Sequence, residues 1–298
     1  MTEQAYGTAS GFIERAAAAF TASIPEQPAD DGYFGPRSVA WRLTGDLTAP
    51  IAGVRSLVVQ ALHPLAMAGV DQHSDWRPDP VARFASTSAY VLTTTFGDRA
   101  AADRGAAVVR RIHAHVNGTD PITGLPYAAD DPGLLLWVHA IQVDSVLAAA
   151  RDLGTAVPDA DADRYAAEMT AAARLIGMPE GLAPASAAAL AEYLTRVQPS
   201  LRLTPAAAEA ARFLLHPPGM DEEIGGMWSE LRDGVLGTLP PWASELYGFP
   251  RPELTDERRE EIRQALGVMD ALTIGEPGVL EARQRIELRI RQARSRQA

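Results

Sequence analysis

Cysteine is absent from the chain. That excludes disulfides, thiolate zinc sites, iron–sulfur clusters, thiolate-ligated or covalently attached haem, and a cysteine nucleophile. Any metal must therefore be held by His, carboxylate, Tyr or Met. Basic residues are also in short supply, with 27 Lys and Arg against 38 Asp and Glu, a formal net charge of −11. Neutralising phosphate needs a basic face, so the balance argues against nucleic acid and against an anionic membrane surface. The longest apolar run, Ile51 to Val70, is interrupted by Arg55, Gln60, His63 and Pro64. It is too polar for a membrane span and reads as a buried helix stopped at Pro64. Glu3, Glu14 and Arg15 interrupt the first twenty residues, a pattern unlike a secretion signal, so the expected location is cytoplasmic.

Strand-like alternation is scarce too, and no internal repeat is visible. What remains is rich in Ala, Leu and Arg, all strong helix formers. With 47% hydrophobic and 22% charged residues over 298 positions, the chain can bury a sizeable core. The expected fold is all-α, a single globular domain of about ten to twelve helices. Asp79-Pro80 opens one helix running to Phe96, and Asn117-Gly118 closes the next. Residues 118–132 form a turn-rich loop with room for a small hairpin. Pro132 to Leu153 is apolar on nearly every side, which marks a central core helix. Thr204-Pro205 and Ser186 are further helix starts. The last helix carries Arg283, Arg285, Arg289, Arg291, Arg294 and Arg296 and reads as a solvated face with cations near a helix C-terminus.

Histidines stand at 63, 73, 113, 115, 139 and 216. His139, in LLLWVHAIQVDSV, has Leu135, Leu136, Gln142 and Val143 as helical neighbours and points into apolar surroundings. His113, in VVRRIHAHV, shares a face with Val109 and Val116, with Arg110 a turn earlier. His115 faces elsewhere, and His63 ends the apolar helix. An isolated histidine on an apolar face is more often a hydrogen-bonded core residue than a ligand. In Arg83-Phe84-Ala85-Ser86-Thr87, Arg83 and Thr87 are four apart and share a face. Turned inward, Arg83 needs a buried anion; at the helix edge it pairs with Asp79 or Asp98 instead.

The widespread catalytic signatures are missing. There is no HExxH, no GxGxxG followed by an acid, no P-loop and no GxSxG. His73-Ser74-Asp75 has the spacing of a facial-triad iron site but lies in a loop of a helical protein. The paired Glu-x-x-His repeats of a di-iron bundle do not occur.

The order of motifs resembles the rubber oxygenase (latex-clearing protein) and MpaB-like family. VAWRLTGD and IAGVRSLVVQALHPLAMAGV come first, then the HS of DQHSDW, DPVARFASTSAYV with FGD, and RRIHAHVNG. GLPYAADDPGLLLWVHA, DRYAAEM, LIGMP and LPPWASELYGFPRP follow. The resemblance spans residues 33–252, preceded by an N-terminal helix and loop (1–32) and followed by C-terminal helices packed on the same domain (253–298). It implies an all-helical fold around a buried b-type haem and an oxygenase, oxidase or peroxidase-like activity using oxygen or peroxide. It makes His113, within Arg110-Arg111-Ile112-His113-Ala114, the axial iron ligand, with His139 in reserve. Arg110 and His139 join the haem-binding set, and Arg83 and Thr87 stand on the distal side. Where rubber-cleaving members place a Lys, this chain has Ser86. Their distal glutamate has no counterpart between Gln27 and Arg83, which leaves that role empty or taken by a group such as Asp71. Both departures point away from polyisoprene and toward a small hydrophobic or aromatic substrate. A haem-binding or sensing module without turnover, and a non-haem iron or metal-free helical protein, are the competing readings.

Overall fold

The computed structural model describes residues 9–154, 156–217 and 220–296. Among these, fourteen α-helices and one two-stranded hairpin account for nearly all regular structure, more helices than the ten to twelve expected. A short helix expected around Val39–Leu43 is present as α2 (Val39–Thr44), whereas α12 (Pro241–Tyr247) was not expected. The expected hairpin is present: β1 (Asn117–Thr119) pairs antiparallel with β2 (Pro126–Ala128), Gly118 opposite Tyr127.

The core is built on two helices, α3 (Ala49–Gln60) and α7 (Pro132–Leu153), which pack along each other. Asp131 caps α7 by accepting from the backbone N–H groups of Gly133 and Leu134, and Pro132 occupies the first helical position. Trp137, fully buried, donates its indole N–H to the Gln60 carbonyl at 3.0 Å and so fastens α7 to the end of α3. By length and composition α7 would cross a bilayer, yet 67% of its apolar stretch is buried inside the protein. It is a core helix here. At His63-Pro64 the chain turns by 102° into α4 (Pro64–His73), as the proline in the sequence predicts.

A buried cation crosses this core. Arg55 on α3 is 2% exposed. Its guanidinium donates to the Thr238 carbonyl (3.0 Å) and the Ser145 hydroxyl (2.6 Å) and pairs with Asp144 at 2.8 Å. It thereby ties α3 and α7 to the end of α11 (Met220–Thr238).

α5 (Pro80–Phe96) and α6 (Arg99–His113) form an antiparallel pair. Asp79 caps α5 through the Ala82 N–H, and Asp98 caps α6 through the Ala101 N–H. Between them Gly97 admits no side chain, because a Cβ there would lie 2.4 Å from the Thr93 carbonyl. Gly105 packs against the Tyr90 ring, and that register brings Arg83 and His113 to the same open end of the pair.

The last helix, α14 (Val279–Ser295), is a solvated basic face only in part, with Arg291 and Arg294 exposed. Arg283 pairs with Asp270, Arg285 donates to the Ile24 carbonyl, and Arg289 donates to the Phe96 carbonyl at 2.6 Å while lying over the Trp41 ring. Three of its five arginines fasten it to the domain.

Candidate functional site

Beside α5 lies an apolar cavity bounded by α3, α4, α10 (Pro205–Leu215) and α11. It holds about 1200 Å³ of space free of protein atoms, its mouth included, ample for a sizeable small molecule. Leu57, Met67, Phe84, Phe213 and Trp228 typify the wall. Arg83 is the only charged side chain among the described lining residues, and Thr87 lines the cavity beside it.

The i,i+4 spacing of Arg83 and Thr87 does what the sequence predicts and puts both on one face. Arg83 Nη1 donates to Thr87 Oγ1, while the Thr87 hydroxyl donates to the Arg83 carbonyl at 3.0 Å. Thr87 is therefore a support that holds the guanidinium rather than a free donor. Arg83 Nε donates to Ser74 Oγ at 3.2 Å, which gives the HS motif of DQHSDW a structural role that the sequence reading left open.

Neither carboxylate proposed as an edge partner for Arg83 is available. Asp79 caps its own helix and pairs with Arg15 at 2.8 Å, and Asp98 caps α6. Among the described residues no carboxylate reaches Arg83. Its surface is accessible, but that surface belongs to the cavity wall, and the enclosing protein desolvates the guanidinium and lowers its pKa. A guanidinium on an apolar wall with no described carboxylate near it favours a guest that offers it an anionic or electron-rich oxygen.

His113 is the last residue of α6. Burial lowers its pKa, Arg83 lowers it further, and Asp130 opposes them, so the imidazole is neutral and lies within electrostatic reach of Arg83. Its Nδ1 is buried without a partner. No hydrogen bond reaches its Nε2 either, and this atom is not among the buried unpartnered ones.

His139 sits behind the cavity. Its neighbour Val138 lines the wall, whereas His139 is 4% exposed with Nε2 buried and unpartnered. Half-buried His113 and buried His139 each hold a buried ring nitrogen without a partner, as does His63 at Nδ1, so none is the fully satisfied core histidine expected by default. Burial alone pushes the His139 pKa down to about 4. The native state thus resists a proton that the unfolded chain takes up near pH 6.5. Stability from this group is complete above pH 6.5 and is lost as pH falls toward 4, by about 2 kcal/mol between pH 7 and pH 5. Urea titrations at several pH values should show that loss, and His139→Leu should flatten the curve. An unchanged slope in the variant would place the acid sensitivity elsewhere.

Other expected residues stand apart. Arg110 turns away and donates to the Leu175 carbonyl, at the end of α8 (Asp159–Leu175). Asp71 pairs with Arg77 at 2.7 Å, and Arg77 also holds Glu209 at 2.8 Å. Asp71 is thus committed to an ion pair and lies outside the cavity wall. His73 Nε2 is 3.1 Å from both the Asn117 carbonyl and the Tyr127 hydroxyl. Among the described residues no group of three His, Asp or Glu is placed to hold a metal ion, which leaves the His73-x-Asp75 pattern without a third ligand.

An apolar chamber in a helical domain, with one cation that no described carboxylate pairs and a histidine within its electrostatic reach, suits the enclosure of a poorly polar molecule. The family model described as "ER-bound oxygenase mpaB/B'/Rubber oxygenase, catalytic domain" matches residues 41–271. The chain belongs to this family. No curated protein matches the chain, and no solved structure does.

Proposed function

We propose that the protein is a haem b-dependent oxygenase or oxidase that acts on a small hydrophobic or aromatic molecule rather than on polyisoprene. The observation that carries this reading is the cavity cation: Arg83 lacks a carboxylate and lies within reach of the unpartnered, neutral His113. These residues fit a haem. His113 would hold its iron, with His139 as the reserve, and Arg83 offers a counter-charge for a propionate. The bound haem would supply the redox centre that activates oxygen or peroxide.

The chain's own contribution is electrostatic and steric. A neutral imidazole at His113 offers a lone pair without first releasing a proton. Arg83, held by Thr87 and Ser74, presents a fixed positive charge at the cavity wall that would favour an anionic group such as a propionate or a bound oxidant, and low local polarity strengthens that attraction. The apolar wall excludes water and orients a poorly polar substrate. Ser86 and the lack of a cavity carboxylate separate this site from the rubber-cleaving pattern.

One observation favours a second reading, a haem-binding module without turnover: no carboxylate or histidine lines the described cavity wall as an acid or base. Steady product formation with oxygen or peroxide would exclude it. The first test is the absorption spectrum of the protein expressed with haem supplied. A sharp Soret band that shifts when the reduced sample takes up carbon monoxide is expected. A featureless spectrum after haem titration would overturn the haem assignment.

A further inference from the structure

The cavity contains a second polar feature. Gln60, the last residue of α3, lines it. Its side-chain nitrogen lies 3.4 Å from the Val138 carbonyl and 2.7 Å from Ser56 Oγ. A backbone carbonyl only accepts, so the amide nitrogen must be the atom turned toward it, and both amide protons are then engaged. The amide oxygen is left over. No described group donates to Gln60 Oε1, and it is not among the buried unpartnered atoms, so it stays accessible on a half-buried residue of the cavity wall.

Two accessible polar atoms on this largely apolar wall have no protein partner among the described residues, while the indole N–H of the lining Trp76 is buried without one. Arg83 Nη2 has no acceptor among the described residues, and Gln60 Oε1 has no donor. The two sit on different helices, α5 and α3. A guest that meets both has an apolar body and a hydroxyl, whose hydrogen suits Gln60 while an electron-rich oxygen suits Arg83.

We propose that Gln60 is a substrate-selecting residue and that the cavity takes an apolar molecule bearing a hydroxyl group, phenol or alkanol, whose O–H donates to Gln60 Oε1. This rests on the reading of the cavity as the substrate chamber but not on the presence of haem. Selection follows from asymmetry: a guest without the O–H displaces water from the amide oxygen and returns nothing, which costs more than the bond itself contributes.

Calorimetric titration of the full chain with 4-butylphenol and with its methyl ether, 4-butylanisole, tests this directly, since the pair differ by one donor. The native protein should bind the phenol about fivefold to tenfold more tightly. Gln60→Met keeps the length of the side chain and removes the acceptor, and should bring the ratio close to one by weakening the phenol alone. Equal binding of the two by the native protein would overturn the proposal, as would no binding of either or a preference that survives in the variant. The native comparison decides the matter even if the variant does not fold. The Soret measurement is independent of it. A phenol preference without a Soret band removes the haem and leaves Gln60 in its role, whereas a Soret band without the preference does the reverse.

Discussion

On the haem reading proposed above, His113→Ala should lower haem affinity at least about 100-fold, since even changes to groups that merely orient a ligand cost about 10- to 100-fold. Haem content per chain and Soret absorbance after purification with haem supplied are the readouts. The expectation rests on three properties that coincide at this residue. Desolvation keeps the imidazole neutral, Nδ1 is buried without a partner, and Arg83 is close enough to perturb its titration. No hydrogen bond holds the ring in its present place, so removing it disrupts no network that the fold needs. His113→Gly should therefore fold, and added imidazole should restore a Soret band, which a purely structural role would not allow. His139→Ala is the matched control. It sits deeper and is more strongly desolvated, with a pKa near 4, and should retain haem. Loss of haem in His139→Ala together with its retention in His113→Ala would transfer the ligand to α7.

The architecture was legible wherever local signals agree with the tertiary fold. Asp131-Pro132 followed by a continuous apolar run specifies α7, and Asp79-Pro80 specifies α5, because caps and patterning act over a few residues. α12 was missed for the opposite reason. Its start, Leu239-Pro240-Pro241, reads as a turn, and only packing of Ala243, Ser244 and Tyr247 into the core makes seven residues a helix. At the site, the spacing of Arg83 and Thr87 gave their common face, but not that Thr87 serves Arg83. Whether Arg83 would find a carboxylate depended on Arg15, which engages Asp79 from 64 residues away. Arg110 stands in the same motif as His113, yet its guanidinium is used on the Leu175 carbonyl, a partner set by helix docking and invisible in the local pattern. Gln60 had no signal beyond being a polar residue in an apolar helix. Its free oxygen is defined only by what Val138 and Ser56 take from its nitrogen.

Arg55→Met should destabilise the protein by about 3 kcal/mol, the low end of what breaking a buried pair costs. The low end applies because Asp144 keeps 25% of its side-chain surface and is partly rehydrated when its partner leaves. The remaining loss falls on the other two acceptors. Ser145 is fully buried and Thr238 is 4% exposed, and each would surrender a hydrogen bond that water reaches poorly. For a chain of this size the melting temperature should fall by roughly 6–12 °C. Arg55→Lys retains the charge but presents one compact ammonium where three directed contacts are needed. It should cost less than Met, about 2 kcal/mol. Arg55→Met combined with Asp144→Leu removes both charges, and well-packed apolar replacements of buried pairs are often neutral. The double variant should therefore recover most of the loss, and the coupling between the two sites measures the pair itself. A single-variant cost below about 1 kcal/mol would show that hydrophobic packing between α3, α7 and α11 holds them together without the cation. A large cost that the double variant fails to recover would assign the effect to the Thr238 and Ser145 contacts instead. Thermal and urea unfolding of the native protein, Arg55→Met, Asp144→Leu and the double variant, with Arg55→Lys alongside and haem content measured on each, separates these outcomes from any effect on the cavity.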